Sequence, residues 1–292
     1  MSNPLIPGWC DRGAITLLAG ASHAGKTTLL GQLLCGLSTV PSTWLGVPVQ
    51  GHLTVAYVLA GDAKPWEDTA EVFHDLHAVV DPQRLSTSLE YPTHNPHTSI
   101  DLLLTALDHL PASDLYIIEG LTTFISPINV NHYHAPLQGL KELTRWAGRQ
   151  HAAILGTHHV AKLDGGNKPR RPLDRVLGTT ALVGNVSHCA VLETPEEIRL
   201  PTYRITVYHR RAKTQTLYLT RADRPAGPFE LVVSKDPLRE IFLAGIPHAP
   251  NTVHIKALYT LAPSEDKAKR WVDQLLDEGL IARGGRGTYS QL

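Results

Sequence analysis

The chain has 292 residues, enough for one large domain or one domain with a small companion. Its 42% hydrophobic and 18% charged residues fit a globular chain with a sizeable core and argue against disorder. A formal net charge of +0 provides no global basic field, so any nucleic-acid surface must rest on local clusters, and no apolar run reaches the length of a membrane span.

In chain order, residues 14–19 form a short apolar run, expected as a buried strand, and residues 28–34 open a helix. Residues 38–51 are rich in Pro, Ser, Thr and Gly and are expected as a loop. Residues 53–59 read as a strand ending at Asp62. Residues 66–80 have helical spacing, with Val72, Phe73, Leu76 and Val79 on one face, and Asp81-Pro82 stops them. A short strand over 85–91, a helix over 100–110 and a strand over 115–118 ending at Glu119 follow. An amphipathic helix over 137–150 and a strand over 152–157 ending at His158 and His159 complete the series. Short, wholly apolar strands alternating with helices predict an α/β fold with a parallel sheet covered on both faces.

From Gly178 the rhythm changes. Residues 188–193, 203–209, 214–219 and 229–233 read as successive strands with no long helix between them, expected to extend the sheet with antiparallel members. Residues 245–250, with Pro247 and Pro250, read as a linker. Beyond it, residues 251–292 have their own pattern: a helix over 253–259, a turn at Ala262-Pro263, and a second helix capped by Ser264. That helix carries Ala268, Trp271, Val272, Leu275 and Leu276 on one face, and a glycine-tipped hairpin spans 280–289. Helix, turn, helix, hairpin is a winged-helix outline. The expected division is an ATPase core over 1–244, a linker over 245–250 and a winged helix over 251–292.

Cys10, Cys35 and Cys189 are odd in number and far apart, which suits reduced thiols and a cytoplasmic setting. The first residues do not read as a signal peptide. Sixteen histidines are many, but the pairs His94/His97, His132/His134 and His158/His159 lack the Cys or acidic companions of a zinc site, so no structural metal is expected.

Gly20, Ala21, Ser22, His23, Ala24, Gly25, Lys26 and Thr27 fit G-x-x-x-x-G-K-[ST], with Thr28 next, between an expected strand and an expected helix. Glycines let backbone N–H groups turn inward around an anion, and the helix N-terminus adds favourable partial charge. The pattern therefore predicts a nucleotide-phosphate site for ATP. Lys26 would reach the β- and γ-phosphates, and the Thr27 hydroxyl would reach Mg²⁺. A second acid at a neighbouring strand end must complete the metal site, and Glu119 is that candidate. Asp62, ending another strand at the same edge, is the candidate to orient water. His158 and His159 are candidates to sense the γ-phosphate. Asp114 starts its strand and would lie at the wrong edge.

The P-loop, the strand ending at Asp62, the strand ending at Glu119-Gly120-Leu121 and His158-His159-Val160-Ala161-Lys162 occur in the order seen in RecA-fold ATPases. They most resemble the plasmid RepA type of hexameric replicative helicase and its phage and mobile-element relatives, over roughly residues 10–235. In that family Glu usually stands at the place of Asp62 and Asp at the place of Glu119. The swap bears on catalytic rate more than on nucleotide binding. The resemblance implies a hexameric ring with ATP at subunit interfaces and a basic finger from the neighbour. Arg210, Arg211 and Lys213 stand at the matching place, and arginine suits charge on a transferring phosphoryl group.

Two basic regions suggest DNA. The glycine-rich loop with Lys168, Arg170 and Arg171 lies where RecA-like rings hold single strands, and it offers phosphate contacts without aromatic stacking. Lys267, Lys269 and Arg270 on the second carboxyl-terminal helix, with Arg283 and Arg286 in the hairpin, are candidate duplex contacts, diluted by Asp273, Asp277 and Glu278. An ATP-driven motor on DNA is the first reading. An ATP-dependent DNA-binding regulator that recognises DNA through its winged helix is the second. A small-molecule kinase would need an arginine-bearing lid and no winged helix.

Overall fold

Strands that are apolar throughout need cover on both faces, and this chain supplies it by alternating them with helices. The structure, a computed structural model, describes residues 4–38, 42–49, 53–59, 66–75, 85–86, 100–125, 134–160, 172–176, 180–194, 202–210, 212–221, 227–234 and 236–292. A small hairpin of β1 (Pro4–Ile6) and β2 (Cys10–Asp11) precedes β3 (Ile15–Gly20) and α1 (Lys26–Ser38). A second hairpin, β4 (Ser42–Trp44) and β5 (Val47–Val49), lies within the stretch expected as a loop. Trp44 anchors it. Its indole N–H donates to the Leu29 carbonyl at 3.2 Å and its ring lies 4.5 Å from that of Trp9. Burial of one large aromatic outweighs the turn-rich composition around it.

Next come β6 (Val55–Leu59), α2 (Trp66–Asp75), β7 (Leu85–Ser86), α3 (Ile100–His109) and β8 (Leu115–Glu119). They are followed by α4 (Thr122–Ile125), α5 (His134–Gln150) and β9 (Ala153–His159). After α6 (Thr180–Gly184) the chain forms β10 (His188–Glu193), β11 (Thr202–His209), β12 (Gln215–Arg221) and β13 (Phe229–Leu231). The described part of α2 ends at Asp75, and residues 87–91 of the expected short strand lie outside the described residues.

Among the described residues the main sheet runs β13-β12-β11-β10-β3-β9-β8-β6-β7. From β10 to β7 every pairing is parallel. The sequence placed 188–193 among antiparallel additions, and this is corrected: β10 runs parallel to β3, with His188 opposite Thr16 and Leu192 opposite Gly20. A parallel neighbour needs a crossover, and residues 160–187 provide one whose helix α6 is too short to leave a periodic signal. The next strand does reverse. The Arg210 N–H donates to the Ser187 carbonyl at 3.2 Å, so the end of β11 meets the start of β10.

The core beneath this sheet packs α3 and α5 against β3, β8 and β9 through Leu103, Leu107, Leu140, Leu143 and Trp146. Tyr116 meets Trp146 edge to face at 4.9 Å, and the Trp146 indole donates to Asp108 at 2.6 Å. Such a ring pair adds roughly 1 kcal/mol beyond its burial.

The chain divides into two compact units, Met1–Glu193 with Ile205–Thr216 and Asp223–Phe229, and Thr194–Arg204 with Leu217–Ala222 and Glu230–Leu292. The second unit contains α7 (Pro237–Ala244), β14 (Val253–His254), α8 (Ile255–Leu258), α9 (Glu265–Asp277), β15 (Ile281–Gly285) and β16 (Thr288–Gln291). Its small antiparallel sheet is ordered β14-β16-β15. Ser264 caps α9, accepting the Lys267 N–H at 3.2 Å. Where the sequence suggests one helix over 253–259, a two-residue strand precedes α8 and a 3-10 turn over Tyr259–Leu261 follows it.

Trp271, Leu275, Leu258 and Ile281 share one core with Phe242 and Ile246. The stretch 245–250 is therefore packed against the module. Gln291 N–H donates to the Pro247 carbonyl at 2.8 Å, and Ala249 N–H donates back to Gln291 at 3.2 Å. The proline-rich composition reads like a linker, but one apolar side chain, Ile246, and two backbone bonds bind it to β16.

Candidate nucleotide site

The parallel strands β3, β6, β8, β9 and β10 all end at one edge of the sheet, where ligands of open α/β sheets bind. Gly20 closes β3, and α1 begins at Lys26. The turn between them holds Gly25 at φ 95° and His23 at φ 61°. The left-handed backbone at Gly25 is the reason for glycine at this place in the motif. At His23 a side chain accepts the same region at a modest steric cost. Lys26 Nζ donates to the carbonyls of Gly20 at 3.0 Å and Ala21 at 2.9 Å, so the ammonium lies against the inner side of the loop. Ser22 is exposed, while Ala24 and Thr28 are buried beneath the turn.

The expected acid is in place. Glu119 ends β8, is 8% exposed, and accepts the Thr27 hydroxyl at 2.5 Å on Oε1. Its other oxygen accepts the Tyr57 hydroxyl from β6. A carboxylate held on both oxygens has little rotational freedom, and a hydroxyl beside it in the P-loop is a donor set suited to Mg²⁺. Burial raises the Tyr57 phenol well above its usual range, and the charge of Glu119 and the hydrogen bond to it act the same way. Tyr57 therefore stays a donor at neutral pH. Sequence reading missed it. The available signal was a polar-tipped aromatic inside a buried aliphatic strand, which must find a partner.

One strand over, Thr157 Oγ1 accepts the Gly120 N–H at 2.8 Å and fixes the turn that follows Glu119. The same turn explains Gly156: a Cβ there would lie 2.2 Å from Leu121 Cδ2. His158 and His159 stand opposite Ala19 and Gly20 in the β3–β9 register, beside the start of the P-loop, with His158 buried and His159 partly exposed. Asp114 sits at the far edge as expected. It accepts from Thr54 N–H at 3.0 Å and Thr54 Oγ1 at 2.9 Å and pairs with Arg12 at 2.8 Å, a structural tie between strand starts.

Other expected residues are not at this edge. Arg210 is exposed and hydrogen-bonded by its backbone to Ser187, at the sheet end opposite the P-loop, and Lys213 is exposed in the following turn. From Ser187 to Leu192, opposite Gly20, is about 16 Å along the strand. Arg210 does not reach the P-loop of its own chain. Asp62, Arg211, Lys168, Arg170 and Arg171 lie outside the described residues.

A family model described as an AAA domain matches residues 2–165, more than half of the chain. The chain belongs to the AAA domain family. A solved helicase ATPase domain superposes with a TM-score of 0.55 at 10% identity, covering 75% of this chain and 84% of that one. At that identity the likeness speaks for the fold, a RecA-like P-loop core. No curated protein matches the chain. This AAA domain protein is a P-loop ATPase by family and by fold. Among its described residues no helix is long and apolar enough to cross a membrane.

In the second unit Arg270, Arg283 and Arg286 lie towards solvent, as do Asp273, Asp277 and Glu278. Lys267 Nζ lies 5.1 Å from the ring of Trp271 and Lys269 Nζ 5.6 Å from that of Tyr259, so both stems lie over aromatic faces of their own module.

Proposed function

We propose that this AAA domain protein is a ring-forming, ATP-driven motor on DNA, related to the plasmid RepA-type replicative helicases. One observation carries the reading. The groups suited to phosphates and metal, Lys26, Thr27 and Glu119, gather at one end of the sheet, while Arg210 and Lys213 project at the other end. A nucleotide site that its own Arg210 does not reach, and a basic hairpin far from its own P-loop, are complementary across an interface between copies.

In this reading the loop from Gly20 to Thr28 cradles the phosphates of ATP, with Lys26 on the β- and γ-phosphates. Thr27 and Glu119 hold Mg²⁺, which when bound draws negative charge off the phosphates. Tyr57 keeps the Glu119 carboxylate aimed at Thr27. Asp62 orients water, and His158 or His159 reports on the γ-phosphate. Arg210 or Arg211, with Lys213, acts on the neighbour's nucleotide. Lys168, Arg170 and Arg171 hold single-stranded backbone. Residues 236–292 form a winged-helix module that presents Arg270, Arg283 and Arg286 to duplex DNA or to a protein.

The alternative is an ATP-dependent DNA-binding regulator. The separate core of the second unit and the exchanged Asp62 and Glu119 favour it.

Three experiments decide. Native mass analysis with ATP, alongside a forked-duplex unwinding assay, should give a closed ring and strand separation. A monomer that hydrolyses ATP without unwinding overturns the motor. Mixing Lys26→Ala with Arg210→Ala/Arg211→Ala protein should restore part of the lost hydrolysis through mixed interfaces. No restoration, with subunit exchange verified, rejects the finger in trans. Full-length protein, a Lys168/Arg170/Arg171 triple alanine variant and a chain truncated before Asp236 should be compared on single- and double-stranded probes over a salt series. If the truncation removes single-strand binding and the triple variant keeps it, the regulator replaces the motor.

A further inference from the structure

The sheet end opposite the P-loop carries a second group of ligand-type side chains. Asp11 from β2, His188 at the start of β10 and His209 at the end of β11 each offer one ligand atom, and the three atoms lie within 4.8 Å of one another. The two imidazole rings stand 4.4 Å apart, tilted by 59°. His188 is 1% exposed, whereas Asp11 and His209 are reached by solvent. The backbone places these residues together for stated reasons. β2 leads directly into β3, β10 pairs with β3, and β11 returns to the start of β10 through the Arg210–Ser187 bond.

Hydrogen bonding fixes the form of His188. Ser187 Oγ lies 3.0 Å from the Ile15 carbonyl, which can only accept, so the single hydroxyl proton goes there. His188 Nδ1, at 2.9 Å from the same Oγ, must then donate. Its Nδ1 carries the proton and its Nε2 carries the lone pair. A metal-binding histidine is commonly held in this way, with its second nitrogen donating to an oxygen.

We propose that Asp11, His188 and His209 bind one Zn²⁺, with water as the fourth ligand. Two imidazoles and one carboxylate suit zinc better than the hard ions Mg²⁺ or Ca²⁺, which prefer an all-oxygen shell. Tetrahedral zinc with bonds near 2.0–2.1 Å holds its ligands about 3.4 Å apart. Rotation of the solvent-reached Asp11 and His209 side chains toward the fixed His188 closes that gap. The ion ties three segments distant in sequence and fixes the root of the hairpin that carries Arg210 and Lys213. The site is separate from the magnesium site at the P-loop end and does not depend on the motor reading.

The test uses untagged full-length protein. Elemental analysis after dialysis against trace zinc should give one Zn²⁺ per chain, and Co²⁺ should give the visible absorption of a tetrahedral centre. His209→Gln and Asp11→Asn, shown to be folded by circular dichroism, should each weaken Zn²⁺ affinity at least about 100-fold in calorimetric titration. A His132→Gln/His134→Gln variant should bind like wild type. No retained zinc and no heat of binding in the wild type overturn the proposal, as does wild-type affinity in both ligand variants or loss of binding in the His132/His134 variant.

Discussion

The two ends of the parallel sheet carry their polar chemistry in opposite ways. At the end where β3 and β8 finish, the decisive groups sit in a contiguous motif and at a strand tip: Gly20 to Thr27, then Glu119. At the end where β10 begins, Asp11, His188 and His209 are separated by long stretches of chain and share no motif. A phosphate cradle must be local, because it is built from successive backbone N–H groups and one helix N-terminus. A cluster of side-chain ligands can be assembled from any segments the topology brings together. Sequence reading therefore succeeds on this molecule where the backbone itself performs the chemistry.

Four measurements bear on that contrast. The largest effect belongs to Lys26→Ala, which should lower ATP turnover by about 10³-fold or more and weaken nucleotide binding, measured by steady-state hydrolysis and by fluorescent-nucleotide titration. Wild-type turnover in that variant would remove the P-loop end from the comparison altogether. Glu119→Gln should cost about 10²-fold in turnover while nucleotide affinity stays within a few-fold, because the carboxylate lies behind the phosphate cradle. A loss of affinity equal to that of Lys26→Ala would make Glu119 part of the cradle instead.

Tyr57→Phe should reduce turnover by roughly 10-fold through a less constrained Glu119, and Glu119→Gln/Tyr57→Phe should be no slower than Glu119→Gln alone. Additive losses would show that Tyr57 acts independently of the carboxylate. The smallest effect is expected at the opposite end. Saturating Zn²⁺ should raise the wild-type Tm by about 5 °C and leave Asp11→Asn unmoved, read by differential scanning. An equal rise in both proteins would place the zinc elsewhere.

Much of the fold was legible from periodicity and strand ends. The strands leading to Glu119 and to His158 and His159 are apolar throughout because they are buried on both faces, and Ser264 announces α9 by capping chemistry. Three features were not legible. The direction of β10 depends on a crossover in which the described helix has only five residues, Thr180–Gly184. The hairpin over Ser42–Val49 depends on Trp44 packing with Trp9, a contact between segments far apart in the chain. The stretch 245–250 has a linker's composition but is held by the burial of Ile246 and by backbone bonds to β16.

From the amino-acid sequence alone come the nucleotide-binding loop, the strands that position it and the acid at the end of β8. These follow from local backbone geometry and from the apolarity that two-sided burial demands. Which groups meet across the sheet is a matter of three-dimensional packing. That packing set Tyr57 on the second oxygen of Glu119, carried Arg210 to the end away from its own P-loop, and gathered Asp11 with His188 and His209. Strand order and direction govern such meetings, and they are fixed by contacts among distant segments that leave no pattern along the chain.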